Sequence, residues 1–209
     1  LLWILKFLRP FMAHRHYHTV GFILKHNLYR DQDAVLTLFC RDFGLIRASA
    51  RSLKASNSKL RLHSNRFNQV ALSLVAGREF WRVVSMESTG LMDFLSQAPK
   101  TMTLVNRIFS LVERLSGGEE AMPEVYADLD QAFTFLGEVK FRTDSKFGRY
   151  LESLVVLRLL HHMGYLPALD LVQPFVKPTS ITSELVWSLG PVECPIIQLI
   201  NQTFTAVSV

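Results

Sequence analysis

Cysteine is close to absent, with Cys40 and Cys194 standing far apart in the chain. Two such thiols cannot supply a four-thiolate zinc ribbon or a disulfide framework, so stability has to come from packing, and a reducing cytoplasm is the setting expected. Long apolar runs are missing as well. The stretch Leu1 to Leu5 is broken by Lys6 and Arg9, far short of the roughly 20 residues a membrane-spanning helix needs. Leu1 to Phe11 imitates the apolar core of a signal peptide, yet no basic residue precedes it and no small-residue cleavage site follows. Residues 1–15 are therefore set apart as a leader, with Met12 a candidate for the natural start. The chain also lacks a Gly-rich phosphate loop, a zinc-protease helix and a nucleophile elbow, so no catalytic framework of these kinds and no cofactor is expected.

What is present is apolar bulk and an uneven distribution of charge. The 209 residues are 49% hydrophobic, enough for a packed core in one large domain or two small ones. From Met12 to Leu91 there are 12 Lys/Arg against 5 Asp/Glu, whereas Met92 to Val209 has 9 against 13. The front half is the part to question about phosphate.

Between Tyr17 and Gly90 the pattern is that of strands, rich in β-branched and aromatic residues and without helical periodicity. Five are expected, near Tyr17 to His26, Asp33 to Arg41, Leu45 to Leu53, Arg66 to Ala76 and Glu79 to Thr89, with Gly44 and Gly77 in turns. The connection from Lys54 to Asn65 is long, basic and poor in anchoring residues, hence exposed. Five strands with one long basic loop suit the OB-fold, whose strand face and loops bind oligonucleotides; an SH3-like barrel is the alternative. After Gly90 the period changes from two to about 3.6, which places a boundary and a linker near Leu91 to Pro99. The expected division is a barrel over residues 16–91 and an α-helical domain over residues 92–209, giving an α+β chain.

Within the second part, Pro99 opens a helix whose apolar face includes Leu104, Ile108, Leu111 and Leu115, stopped by Gly117 and Gly118. A second follows Pro123 and buries Val125, Leu129, Phe133 and Leu136. A third starts at an N-cap near Asp144 or Ser145 and runs to Gly164. It is apolar nearly all round, which predicts a central place in a bundle. Beyond Pro167, repeated prolines break the pattern, and only Ile196 to Phe204 again reads as helix.

Several stretches together resemble one family. Asp33-Ala34-Val35-Leu36-Thr37-Leu38-Phe39, followed by Gly44-Leu45-Ile46-Arg47-Ala48, is similar to the second and third strands of the N-terminal OB-fold of the RecO family of bacterial DNA repair proteins. Ser58-Lys59-Leu60-Arg61 and then Phe67 resemble its basic loop and next strand. Leu157-Arg158-Leu159-Leu160, Met163-Gly164-Tyr165-Leu166-Pro167 and Leu169-Asp170 resemble its core helix and exit. The chain departs from the family where Ser52 replaces a usual glycine, Arg66 a common proline and Val156 a typical glutamate. Leu171 and Val172 stand where many members begin a cysteine-rich zinc site, so no metal is carried over. The resemblance implies a recombination mediator in the cytoplasm, on the nucleoid. Such a protein binds single- and double-stranded DNA, anneals complementary strands and helps load recombinase, with RecR and the acidic C-terminal tail of single-strand binding protein as partners.

The residues themselves offer a phosphate-binding cluster: Arg47, Arg51, Lys54, Lys59, Arg61 and Arg66. Their cations neutralise phosphates and release condensed counterions, a force indifferent to sequence. Arg47 and Arg51 are four apart in a strand and so face the same way, with Ser49 between them. Arg78 and Arg82 extend the patch, and of the adjacent rings Phe80 and Trp81 at most one can face outward as a stacking platform. On the third helix, Lys146, Arg149 and Arg158 are candidates to receive an acidic peptide, against the plainer reading of surface salt bridges. His14, His16 and His18 alternate as a metal site would, but nearby sequence offers no completing ligand. Asp31 and Asp33 read as turn residues, and His161-His162 as packing. An OB-fold module that binds single-stranded DNA or RNA without a mediator role is the alternative function, and a metal-dependent nuclease built on the histidines a third.

Overall fold

In a computed structural model, the structure describes residues 15–28, 33–53, 58–97, 99–138 and 145–207. Five strands come first: β1 His16–Leu28, β2 Ala34–Cys40, β3 Gly44–Ala50, β4 Gln69–Val75 and β5 Trp81–Ser88. They close a barrel in the order β1-β2-β3-β5-β4. All pairings are antiparallel except β3 with β5, which is parallel and short. This is the OB-fold expected from the strand pattern. β1 makes closure possible because it is long enough to serve twice, pairing β4 through His16 to Phe22 and β2 through Gly21 to Leu28.

Strand alternation divides the side chains in two. Ile23, Leu36, Leu38, Ile46, Ala48, Leu72 and Leu74 fill the barrel. Phe22, Leu24, Phe39 and Phe67 point the other way and join the core of the helical layer. A bulge between Ile23 and Lys25 inserts Leu24 into β1, so that Lys25 lies on the outer face, opposite Thr37.

Among the described residues six α-helices follow: α1 Pro99–Leu115, α2 Pro123–Glu138, α3 Ser145–His162, α4 Gln173–Val176, α5 Ser183–Trp187 and α6 Glu193–Ala206. Helix α3 packs against α1, α2, α4, α5 and α6, the central position its all-round apolar surface predicts. Residues 91–97, expected as a linker, instead bury Met92 and Leu95 and contain a short 3-10 turn, Asp93–Gln97. Barrel and helices therefore meet through packed side chains.

That seam is aromatic and hydrogen-bonded. The Phe22 ring lies 5.5 Å from Phe109, 5.2 Å from Tyr126 and 5.4 Å from Phe133. The buried Gln69 amide donates to the Tyr126 hydroxyl at 3.1 Å and to Asp130 Oδ1 at 2.5 Å, while its oxygen accepts from Thr89 Oγ1 at 2.6 Å. Burial pushes the Tyr126 phenol well above its ordinary range, which keeps it neutral as a hydrogen-bonding group. Ser52 has φ 51°, the left-handed conformation that glycine adopts most easily. Its amide donates to Asp33 Oδ1 at 2.8 Å, so the Asp33 side chain caps the turn that follows β3.

Candidate nucleic-acid interface

The outer faces of β1, β2 and β3 carry side chains in rows fixed by the strand register. Phe22, Phe39 and Leu45 form one row, and all three pack into the helical layer. The next row is Lys25, Thr37 and Arg47, and the one beyond it Asn27, Val35 and Ser49. The helices thus cover one end of this sheet; beyond it Lys25, Asn27 and Arg47 are exposed on β1 and β3, while Thr37 and Val35 of β2 are buried between them. In the parallel pairing, Ala48 faces Trp81 and Ser49 faces Arg82. Ala48 and Trp81 belong to the barrel core, so Ser49 and Arg82, each one residue on, point outward together.

The Lys25–Thr37–Arg47 row lies in a groove of about 590 Å³. Glu79 and Phe80 of the β4–β5 turn line one side, and Glu113 of α1 with Gly118 and Glu119 of the α1–α2 loop also line it. The Arg47 guanidinium sits 4.8 Å from the centre of the Phe80 ring, a cation–π contact, and the residue is exposed. Lys25 Nζ is 2.8 Å from Glu113 Oε1. Ser49 Oγ donates to the Trp81 carbonyl at 3.2 Å and so ties β3 to β5 beneath Arg82.

Of the cations singled out in the sequence, Arg47 and Arg82 lie on the same outer face beside the β3–β5 join, Arg47 exposed and Arg82 half-buried. Arg51 is exposed in the turn that ends β3, and Arg78 is exposed in the β4–β5 turn. Arg61 and Arg66 border a second cavity, also about 590 Å³, with His26 and Leu53. Arg66 is heavily engaged there. It donates through Nε to the Leu24 carbonyl at 2.8 Å and through Nη2 to Asn106 Oδ1 at 2.6 Å, while resting 4.5 Å from the centre of the Phe67 ring. It thereby fastens the barrel to α1. Lys54, the Lys59 side chain, His14 and Asp31 lie outside the described residues.

Phe80 is the half-buried ring that lines the groove. Trp81 belongs with the barrel core instead, 5.3 Å from Tyr17 and 5.0 Å from Phe43. Sequence reasoning passed over Lys25, Asn27 and Thr37, which stand outside the basic cluster. The readable signal for Lys25 was the lone Lys, Arg, Asp or Glu within the strand, set directly after the apolar run Phe22–Leu24.

In the helical layer the three cations separate. Arg158 is 1% exposed. It donates to Asp128 Oδ1 at 3.0 Å, to the Phe175 carbonyl at 2.9 Å and to the Pro178 carbonyl at 2.7 Å. No face of it is left for a peptide carboxylate, which corrects its assignment as a peptide-binding residue. Lys146 and Arg149 are exposed, and Arg149 Nη2 stands 3.7 Å from Glu193 Oε1. His16 and His18 are exposed on β1, with His16 Nδ1 3.3 Å from Ser73 Oγ. Among the described residues no group of three or more His, Cys, Asp or Glu is placed to hold a metal ion, and no helix is long and apolar enough to cross a membrane.

Comparison with known proteins gives a consistent pattern. Residues 12–92 match the family model described as Recombination protein O N terminal. The chain is 31% identical over 166 residues to the DNA repair protein RecO of Syntrophotalea carbinolica, an alignment covering 78% of this chain and 61% of that one. It is 27% identical over 170 residues to the protein of the same name from Chlorobium limicola, covering 79% and 62%. With that of Heliobacterium modesticaldum the identity is 24% over 176 residues, covering 83% and 60%. The matched region thus spans about three-fifths of the length of these relatives.

Proposed function

We propose that this chain, whose residues 12–92 match the Recombination protein O N-terminal module, serves DNA repair by holding nucleic acid without cutting or modifying it. The observation that supports this reading is the open strip of the barrel. Register lines up Lys25, Thr37 and Arg47 across three strands, and Arg82 beside Ser49 continues the same face. Cations on a rigid sheet grip sugar-phosphate through charge and counterion release, with little reading of base edges. At the rim, the Arg47 guanidinium over the Phe80 ring gives a planar cation on which any base can stack.

Contacts of this kind suit annealing, because two strands can pair only if their base edges stay free while the backbones are held. The finer reading is therefore a mediator that binds single- and double-stranded DNA, anneals complementary strands and assists recombinase loading. RecR and the acidic tail of single-strand binding protein are its partners. The acidic tail would meet the exposed Arg149 and Lys146 of α3, since Arg158 is enclosed.

The test is annealing of complementary oligonucleotides by the unaltered protein and by a variant carrying Arg47→Glu, Arg51→Glu and Arg82→Glu. Loss of annealing with an unchanged melting temperature is expected. Full activity in the variant would reject this face as the site. Binding without annealing would reduce the protein to a general single-strand-binding OB-fold module.

A further inference from the structure

The groove that holds Lys25 and Arg47 also contains three carboxylates, Glu79, Glu113 and Glu119. A pocket meant only to attract phosphate would not be built this way. Two of the three, Glu113 and Glu119, come from the helical layer, and their placement is fixed by the backbone. The Leu45 amide donates to the Gly118 carbonyl at 3.0 Å, pinning the α1–α2 loop to the start of β3. Gly44, at φ 66°, lets the loop come this close: a Cβ there would lie 1.9 Å from the Glu120 carbonyl oxygen. Glu113 in turn holds Lys25 at 2.8 Å, in the position a phosphate oxygen would otherwise take.

We propose that Glu113 and Glu119 form an acidic wall that makes this groove select single-stranded over duplex nucleic acid. The inference rests on the nucleic-acid reading of the barrel face and sharpens it. A single strand has one row of phosphates and is flexible. It can lay that row along Arg47 and Arg82 and turn its bases toward Phe80, away from the carboxylates. A duplex has twice the charge per unit length, roughly one phosphate per 1.7 Å of axis, and its second backbone cannot swing away. With one backbone on Arg47, the other is brought toward the wall, where like charges repel. The Lys25–Glu113 pair lowers the affinity for either ligand, because Glu113 has to be displaced before Lys25 contributes.

Glu113→Gln and Glu119→Gln together remove the charge and keep the shape. Fluorescence anisotropy with a labelled 20-nucleotide single strand and the matching blunt duplex, at one fixed low salt concentration, gives the ratio of the two dissociation constants. The unaltered protein should prefer the single strand. In the double variant duplex affinity should rise more than single-strand affinity, so that the preference falls by about threefold or more, the scale of removing exposed charge pairs. Should the double variant melt low, Glu119→Gln alone, at an exposed loop position, carries the test with a smaller shift in the same direction. An unchanged ratio, with Arg47→Ala weakening both ligands, overturns the wall and leaves the nucleic-acid reading standing. If Arg47→Ala alters neither affinity, the face itself is not the binding site and the wall falls with it.

Discussion

The open strip of the barrel and the interior of the helical layer each present arginine, under opposite conditions. Arg47 is exposed on the outer face of β3, with the Phe80 ring beside it and the buried Thr37 opposite it in β2. Arg158 projects from the central helix into a space where Asp128 and two backbone carbonyls receive its N–H groups. The first guanidinium is available to a ligand, and the second already has its partners inside the fold. Residue type alone therefore says little about binding. What decides is whether the protein's own acceptors reach the cation first.

The largest effect expected on either side of this comparison is at Arg158. Arg158→Ala leaves Asp128 with only the His162 ring, 3.0 Å from its Oδ2, and two carbonyls buried without a donor; it should cost about 3–5 kcal/mol of stability, read from urea unfolding, with binding per folded molecule unchanged. Joint replacement by Arg158→Leu and Asp128→Leu should cost less than the single change; a larger loss would mean that the pair itself, and not its breakage, matters most.

Next is the seam between the two regions. Gln69→Ala removes the donor to the Tyr126 hydroxyl and Asp130 and leaves Thr89 Oγ1 only the residue-69 carbonyl at 3.4 Å; it should destabilise by about 1–3 kcal/mol. If barrel and helices unfold as one unit, fluorescence and far-ultraviolet dichroism will still give a single transition; two transitions would show that the seam is weaker than its packing implies. Arg47→Ala should cost under about 1 kcal/mol, the scale of an exposed cation–π contact. It should nevertheless flatten the slope of log affinity against log salt by about 0.7 for a single strand. A stability loss rivalling that of Arg158→Ala would erase the distinction between the two arginines.

The smallest effect expected is at Asp42. Its carboxyl is held below the usual range, first by the hydrogen bonds from Arg41 and then by the one from Thr19 Oγ1 at 2.7 Å. A depressed folded-state pKa contributes stability above the unfolded pKa, and the contribution disappears as pH falls through the folded value. The side chain is 41% exposed, so solvent screening limits Asp42→Asn to about 0–1 kcal/mol at neutral pH. The variant should converge with the unaltered protein in acid; a constant gap from pH 7 to pH 2 would assign the loss to something other than this charge.

Much of the architecture was legible because it obeys simple periods. Alternation placed all five strands within a few residues, and Pro99, Pro123 and Gly164 marked helix ends. The short α4 and α5 were not legible. Four or five residues carry no period, and Pro174 reads as a breaker although it occupies the first turn of α4. The site was harder. Arg47 and Arg82 could be found by charge and alternation, but Lys25 reaches the outer face through a bulge that strict alternation does not foresee. Arg158 looked like a surface cation because nothing in its neighbourhood reveals that Asp128, 30 positions away, will meet it. Glu113 and Glu119 belong to a helix and loop that sequence assigns to another layer, and only the tertiary fold brings them to the groove.

The barrel is closed by its narrowest join. β3 and β5 are matched at two positions, Ala48 with Trp81 and Ser49 with Arg82, whereas every other pair of neighbouring strands is matched at six or seven. Thermal breathing should begin there, with amide protons along this join exchanging into heavy water sooner than those between β1 and β2. Opening would part Arg47 from Arg82, so a polymer lying across both would act as a staple and slow that exchange.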